Sequence, residues 1–240
     1  MKVIVTKNYE EMSARAFEIM KEVVVSNPKA VLGLATGSTP IGLYDCMAED
    51  HQKNGTSYKD IRTVNLDEYL GIGIESDQSY VYFMRKYLFS RVDIDLANTN
   101  LPNGKAEDPE AECARYNALL KTLPQDIQLL GIGSNGHIGF NEPGTPFDSV
   151  THVVALAEST IRDNARLFED PNDVPKKALS MGIANILDAK KVLILASGAN
   201  KAKAVYGMVK AEPDVNCPAS ALQNHPDVIV IVDEAAASLL

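Results

Sequence analysis

The sequence predicts an α/β fold: a three-layer open sheet, mainly parallel, with helices on both faces. Three observations predict it. Strand-like and helix-like segments alternate along the 240 residues. Runs such as AVLGLA (Ala30–Ala35), IQLLGI (Ile127–Ile132), VLILA (Val192–Ala196) and VIVIV (Val228–Val232) are continuously apolar, as strands covered on both faces are. Hydrophobic residues make up 45% of the chain, enough for a substantial core.

The elements follow in order. VIV (Val3–Val5) reads as a short strand, and Tyr9–Val25 carries helical spacing through Met12, Ala16, Ile19, Met20 and Val23. AVLGLA is the next strand. A helix follows over Pro40–Gln52, with Pro40 at its first position and Thr39 as its cap. RTVNL (Arg62–Leu66) is a strand, Ser79–Phe89 and Pro109–Leu120 are helices, and IQLLGI is a strand. THVVALA (Thr151–Ala157) reads as a strand, then Thr160–Phe168 and Lys176–Leu187 as helices. VLILA, a helix over Lys201–Lys210 and VIVIV complete the pattern. There is no internal repeat and no Gly/Ser linker, so residues 1–240 are expected to form a single domain.

Bulk properties exclude several functions. A net charge of −9, with basic pairs only at Lys176–Lys177 and Lys190–Lys191, argues against nucleic acid. No apolar run reaches the roughly 18–20 residues of a membrane span. The opening MKVIVTKNYEEM is too short in its apolar part for a signal peptide, so a cytoplasmic location is expected. Cys46, Cys113 and Cys217 match neither a disulfide framework nor a metal site, and no histidine shows metal-ligand spacing. No metal is expected.

Open parallel sheets bind ligands at the carboxyl ends of their strands. Four such junctions carry the unusual chemistry here. TGSTP (Thr36–Pro40) opens a helix, whose free N–H groups favour an anion; so does SGANK (Ser197–Lys201), where a lysine in the first helical turn is unfavourable until an anion offsets it. DEY (Asp67–Tyr69) places two carboxylates at a strand end, and strand alternation sends at most one of them to a given site. A buried carboxylate there suits abstraction of a proton next to a carbonyl.

The fourth junction is GIGSNGHIGFNEPGTP (Gly131–Pro146). Its Gly131-x-Gly133-x-x-Gly136 matches a dinucleotide fingerprint in letters only. Gly139, Pro143, Gly144 and Pro146 leave no room for the helix that fingerprint requires. The topology is therefore read as Rossmann-like without a dinucleotide. The loop instead presents His137, able to donate or accept a proton near neutrality, and Glu142, able to orient it. Arg162 and Arg166 lie four apart on one helical face and suit phosphate.

LGLATGSTP, NLDEY, GIGSNGHIGFNEP, VPKKALSMG and SGANK together resemble the glucosamine-6-phosphate deaminase family over nearly the whole chain. The related 6-phosphogluconolactonases share the G-H loop but continue with a pattern other than FNEP. The resemblance implies conversion of glucosamine 6-phosphate to fructose 6-phosphate and ammonia without metal or organic cofactor. It implies that Asp67 moves a proton between C2 and C1, that His137 assists ring opening, and that Glu142 orients His137. It assigns the phosphate to Gly37, Ser38, Thr39, Arg166 and Lys201.

Asn135 stands where many relatives have Asp. It joins the catalytic set as a hydrogen-bonding partner of His137 that brings no charge, leaving Glu142 to supply it. The basic segment that hexameric, allosterically activated relatives place after FNEP is missing from PGTPFDSVTHVV, and the chain ends soon after VIVIV. Weak or absent allostery and a monomer are expected, with a mobile cover over Ser149–Asn172. A lactonase and a non-catalytic sugar-phosphate-binding regulatory domain are the alternatives.

Overall fold

The computed structural model describes residues 1–156 and 174–240. The expected helix Thr160–Phe168 and most of the expected cover therefore lie outside the described residues, as do Arg162 and Arg166.

The main sheet is parallel throughout its described pairings. Its strands are β1 (Lys2–Thr6), β2 (Val31–Leu34), β3 (Arg62–Asn65), β5 (Thr99–Asn100), β6 (Ile127–Gly131), β9 (Val192–Ala196) and β10 (Val228–Asp233), in the spatial order β1-β10-β9-β6-β2-β3-β5. The helices are α1 (Tyr9–Ser26), α2 (Ile41–Asn54), α3 (Tyr80–Tyr87), α4 (Pro109–Thr122), α5 (Ile183–Leu187) and α6 (Ala202–Val209). β2 and β9 are buried at every position, which requires cover on both faces of the sheet. The apolar runs read from the sequence supply this core, with Leu129, Val192, Leu193, Ile194, Leu195, Val230 and Ile231 all fully buried.

A second, three-stranded antiparallel sheet stands beside it: β4 (Asp67–Tyr69), β8 (Lys177–Ser180) and β7 (His152–Ala155), in the order β4-β8-β7. This corrects the expected helix over Lys176–Leu187. Residues 177–180 pair with Asp67–Tyr69 on one side and with His152–Ala155 on the other, and only Ile183–Leu187 is helical. The break falls at Gly182. A Cβ there would lie 2.2 Å from the Ser149 carbonyl oxygen, so the chain packs backbone to backbone where a continuous helix would need side-chain room. The apolar spacing of KKALSMGIANIL fits a helix locally; the cross-strand partners that override it are distant in sequence.

Candidate active site

A cleft of about 350 Å³ opens at the carboxyl ends of β2, β3, β6 and β9. Ala35–Thr39 follow β2, Leu66 and Asp67 follow β3, Gly131–Ser134, His137, Gly139 and Phe140 lie at and after the end of β6, and Lys201 follows β9; all line it. Four strand-end segments spread over about 160 residues thus meet in one space because parallel strands end on the same edge.

Asp67 is 6% exposed. Burial, and then the neighbouring charge of Glu68, push its carboxyl up to about 8. Its position is fixed from two sides. β4 pairs Asp67 with Ser180 of β8. The loop after β6 closes over it at Gly139, which takes φ +57°; a Cβ there would lie 3.2 Å from Ser180 Oγ and 3.6 Å from Asp67 Oδ2. The same loop is tied down by hydrogen bonds: Phe140 N–H donates to Ser180 Oγ (3.1 Å), and Asn141 Nδ2 donates to the carbonyls of Ile138 and Met181 (both 2.8 Å). The segment expected to be a helix is therefore what holds Asp67 and the histidine loop together.

His137 folds back over its own loop. Gly133 N–H donates to the His137 carbonyl at 2.9 Å, and a Cβ on Gly133 would lie 2.4 Å from the imidazole. His137 Nδ1 stands 3.2 Å from Glu142 Oε1, without the alignment of a hydrogen bond. The imidazole, with help from Asn135, holds the Glu142 carboxyl below its ordinary range. Asn135 uses its two ends separately: Oδ1 accepts from the His137 backbone N–H (3.2 Å), and Nδ2 donates to Glu142 Oε2 (2.7 Å). It touches the backbone of His137, not the ring, and orients the glutamate that faces the ring. Asn135 and Glu142 stand behind His137 and do not line the cleft.

The opposite end of the cleft is built of backbone and one cation. Gly37 (φ +90°) and Ser38 are exposed at the turn after β2. The expected cap does not form. Pro40, not Thr39, occupies the position before α2, with no side-chain cap bond. The Tyr9 hydroxyl does the pinning instead: it accepts from Gly42 N–H (2.8 Å) and lies 3.1 Å from the carbonyls of both Ser38 and Thr39. Across from this turn, Asp233 at the end of β10 accepts from Ser197 Oγ (2.6 Å) and from Gly198 N–H (3.0 Å), fixing the turn that presents Lys201. Lys201 takes part in no ion pair among the described residues, and partial burial lowers its pKa. A half-buried ammonium without a counter-ion, facing free backbone N–H groups, suits an anion.

Two aromatic rings in the cleft escaped the sequence reading. Tyr80 and Phe140 stack nearly parallel (7° between planes, centroids 6.4 Å apart), and Tyr69 packs against both. Tyr80 opens α3, so its place in the first turn of the expected Ser79–Phe89 helix was the available signal. The other histidines are engaged elsewhere: His51 with the Thr56 carbonyl, His152 with that of Val150, His225 with that of Ala189. Among the described residues no cluster of three His, Cys, Asp or Glu side chains could hold a metal.

Residues 6–230 match the family described as glucosamine-6-phosphate isomerases/6-phosphogluconolactonase. A glucosamine-6-phosphate deaminase of Geobacillus sp. (strain WCH70) is 52% identical over 100% of this chain and 96% of its own length. The solved structure of a monomeric glucosamine-6-phosphate deaminase, 49% identical, superposes with a TM-score of 0.96 over 100% of both chains. The 6-phosphogluconolactonase of Trypanosoma cruzi shares the fold at 20% identity, with a TM-score of 0.79 over 100% of this chain and 96% of that one.

Proposed function

The chain belongs to the glucosamine-6-phosphate isomerase/6-phosphogluconolactonase family, and on that premise we propose that it converts glucosamine 6-phosphate and water to fructose 6-phosphate and ammonia. One observation carries the reading. A single cleft joins a buried carboxylate and an imidazole to the anion-suited turn at Gly37–Thr39 and to Lys201. Relatives named for this activity at about half identity over the full length support it over lactone hydrolysis.

In this reading the phosphate rests on the turn at Gly37–Thr39 and on Lys201, with Arg166 as a further ligand. The reacting carbons then lie toward Asp67 and His137. His137 protonates the ring oxygen as the C1 hydroxyl gives up its proton, and the pyranose opens to the aldehyde. Asp67 takes the C2 proton; the electrons move into a C1–C2 double bond, and the C1 oxygen takes back from His137 the proton that its hydroxyl gave to the imidazole in ring opening. Asp67 returns its proton to C1, leaving an iminium at C2. Water adds there and ammonia leaves, giving the C2 ketone. Glu142 holds His137 for the first step, and Asn135 holds Glu142. Tuned acid–base groups contribute about 10²–10⁴-fold each, and phosphate binding positions the reacting end.

We infer as well that residues 1–240 act as one domain, as a monomer in the cytoplasm. The family match across 6–230 and the monomeric relative support this. The test is ammonia release from glucosamine 6-phosphate, with galactosamine 6-phosphate and 6-phosphogluconolactone as controls. Release from the glucosamine sugar alone is expected. Lactone hydrolysis without ammonia release would reject the assignment.

A further inference from the structure

Glu68 is 2% exposed, on the face of β4 away from the cleft. None of the ion pairs among the described residues includes it. Its partners are backbone donors. Oε1 accepts from Tyr69 N–H (2.9 Å) and Tyr80 N–H (3.0 Å), and Oε2 accepts from Tyr80 N–H (3.0 Å) and Val81 N–H (3.2 Å). Tyr80 and Val81 are the first residues of α3, which has no acidic residue in its own first turn. A carboxylate from another element thus caps the positive end of the helix. Close packing from the chain beyond β5 holds it there: a Cβ on Gly104 would lie 3.3 Å from Glu68 Cγ.

That arrangement links Glu68 to the cleft twice. Through Tyr80 N–H it fixes the residue whose ring lines the cleft and stacks on Phe140. Through the one-residue offset along β4 it places a second negative charge next to Asp67, in a part of the protein with little water.

We propose that Glu68 is a positioning residue for the proton transfer, setting the Tyr80 ring through the first turn of α3 and placing a second buried carboxylate beside Asp67. This rests on Asp67 being the base. The titratable groups around the pair are Tyr80 on α3, Tyr116 on α4 toward Asp67 and, in the cleft that Asp67 lines, His137 and Lys201; the paired residues of β8, Leu179 and Ser180, are neutral. Burial keeps Tyr80 and Tyr116 neutral in the working range, so those rings add no charge to the two carboxyls. Burial raises both, and the charge of Glu68 adds to the rise at Asp67.

The test is the pH profile of Glu68→Gln. Gln keeps an acceptor for Tyr80 N–H and removes the charge. The acid limb of kcat is expected to move to lower pH by about one unit, with KM for the sugar phosphate within about twofold of wild type. A limb at the wild-type pH, with ammonia still released, would overturn the proposal. Absence of ammonia release by the wild-type enzyme would instead reject the deaminase reading. If Glu68→Gln fails to fold, carboxyl ¹³C titration of the wild-type protein decides. Coupled two-step curves for Asp67 and Glu68 support the proposal, and independent single steps overturn it.

Discussion

The two ends of the cleft are made of different material. At the proposed phosphate end, Gly37 and Ser38 are exposed, Lys201 is half-buried, and the donors are backbone N–H groups set by Tyr9 and Asp233. At the proposed proton-transfer end, Asp67 and Glu68 are almost wholly buried and flanked by the Tyr69–Tyr80–Phe140 rings. In the proposed reading the first end meets a strongly hydrated anion, and its donors stand near water, restrained by hydrogen bonds from Tyr9 and Asp233. The second must hold a proton of intermediate affinity, and only a dry surrounding raises a carboxylate that far. The main parallel sheet builds the first end. The small antiparallel sheet, absent from the sequence reading, builds most of the second.

The largest effect is expected where the contrast is sharpest. Asp67→Asn should lower kcat by about 10²–10⁴-fold while leaving the phosphate end intact. The same change should stabilise the protein. Below pH 4 the Asp67 carboxyl is protonated in both states and contributes nothing. Between pH 4 and about 8 it ionises in the unfolded chain but keeps its proton in the fold, so stability falls as pH rises through this window. Asn removes that loss, on the order of a few kcal/mol. Melting curves of the two proteins should coincide near pH 4 and separate by pH 8, with the variant higher. A variant less stable at pH 8 would contradict the burial argument.

His137→Gln comes next. Loss of the ring-opening acid should lower kcat by roughly 10²-fold, less with a substrate analogue that is already open-chain. Equal losses on closed and open sugars would remove His137 from the opening step. The smallest effect belongs to the wet end. Lys201→Ala should raise KM by about tenfold and change kcat by less than about threefold, because its interaction is made equally in ground and transition states. An unmoved KM would take the phosphate away from Lys201.

Much of the main sheet could be read from letters. VLILA, AVLGLA and VIVIV are apolar at every position because both faces are covered, and that signal is local. The alternation argument at Asp67–Glu68 also matched the geometry, since the two carboxylates face opposite ways about β4. What could not be read was non-local. Residues 177–180 become a strand only because Asp67–Tyr69 and His152–Ala155 flank them, more than 100 and about 25 residues away. Thr39 carries a capping side chain, yet Tyr9, 30 residues earlier, occupies the turn. Tyr80 and Phe140 meet across elements whose approach no spacing rule predicts.

The most direct test of the dry end is isotope exchange. Wild-type enzyme, incubated with glucosamine 6-phosphate in heavy water, should return fructose 6-phosphate with deuterium at C1 wherever the proton held on Asp67 exchanges before transfer. Asp67→Asn should bind the sugar phosphate with a Kd within about threefold of wild type and introduce no deuterium at C1 or C2. Exchange by Asp67→Asn at the wild-type rate would show that another group moves the proton.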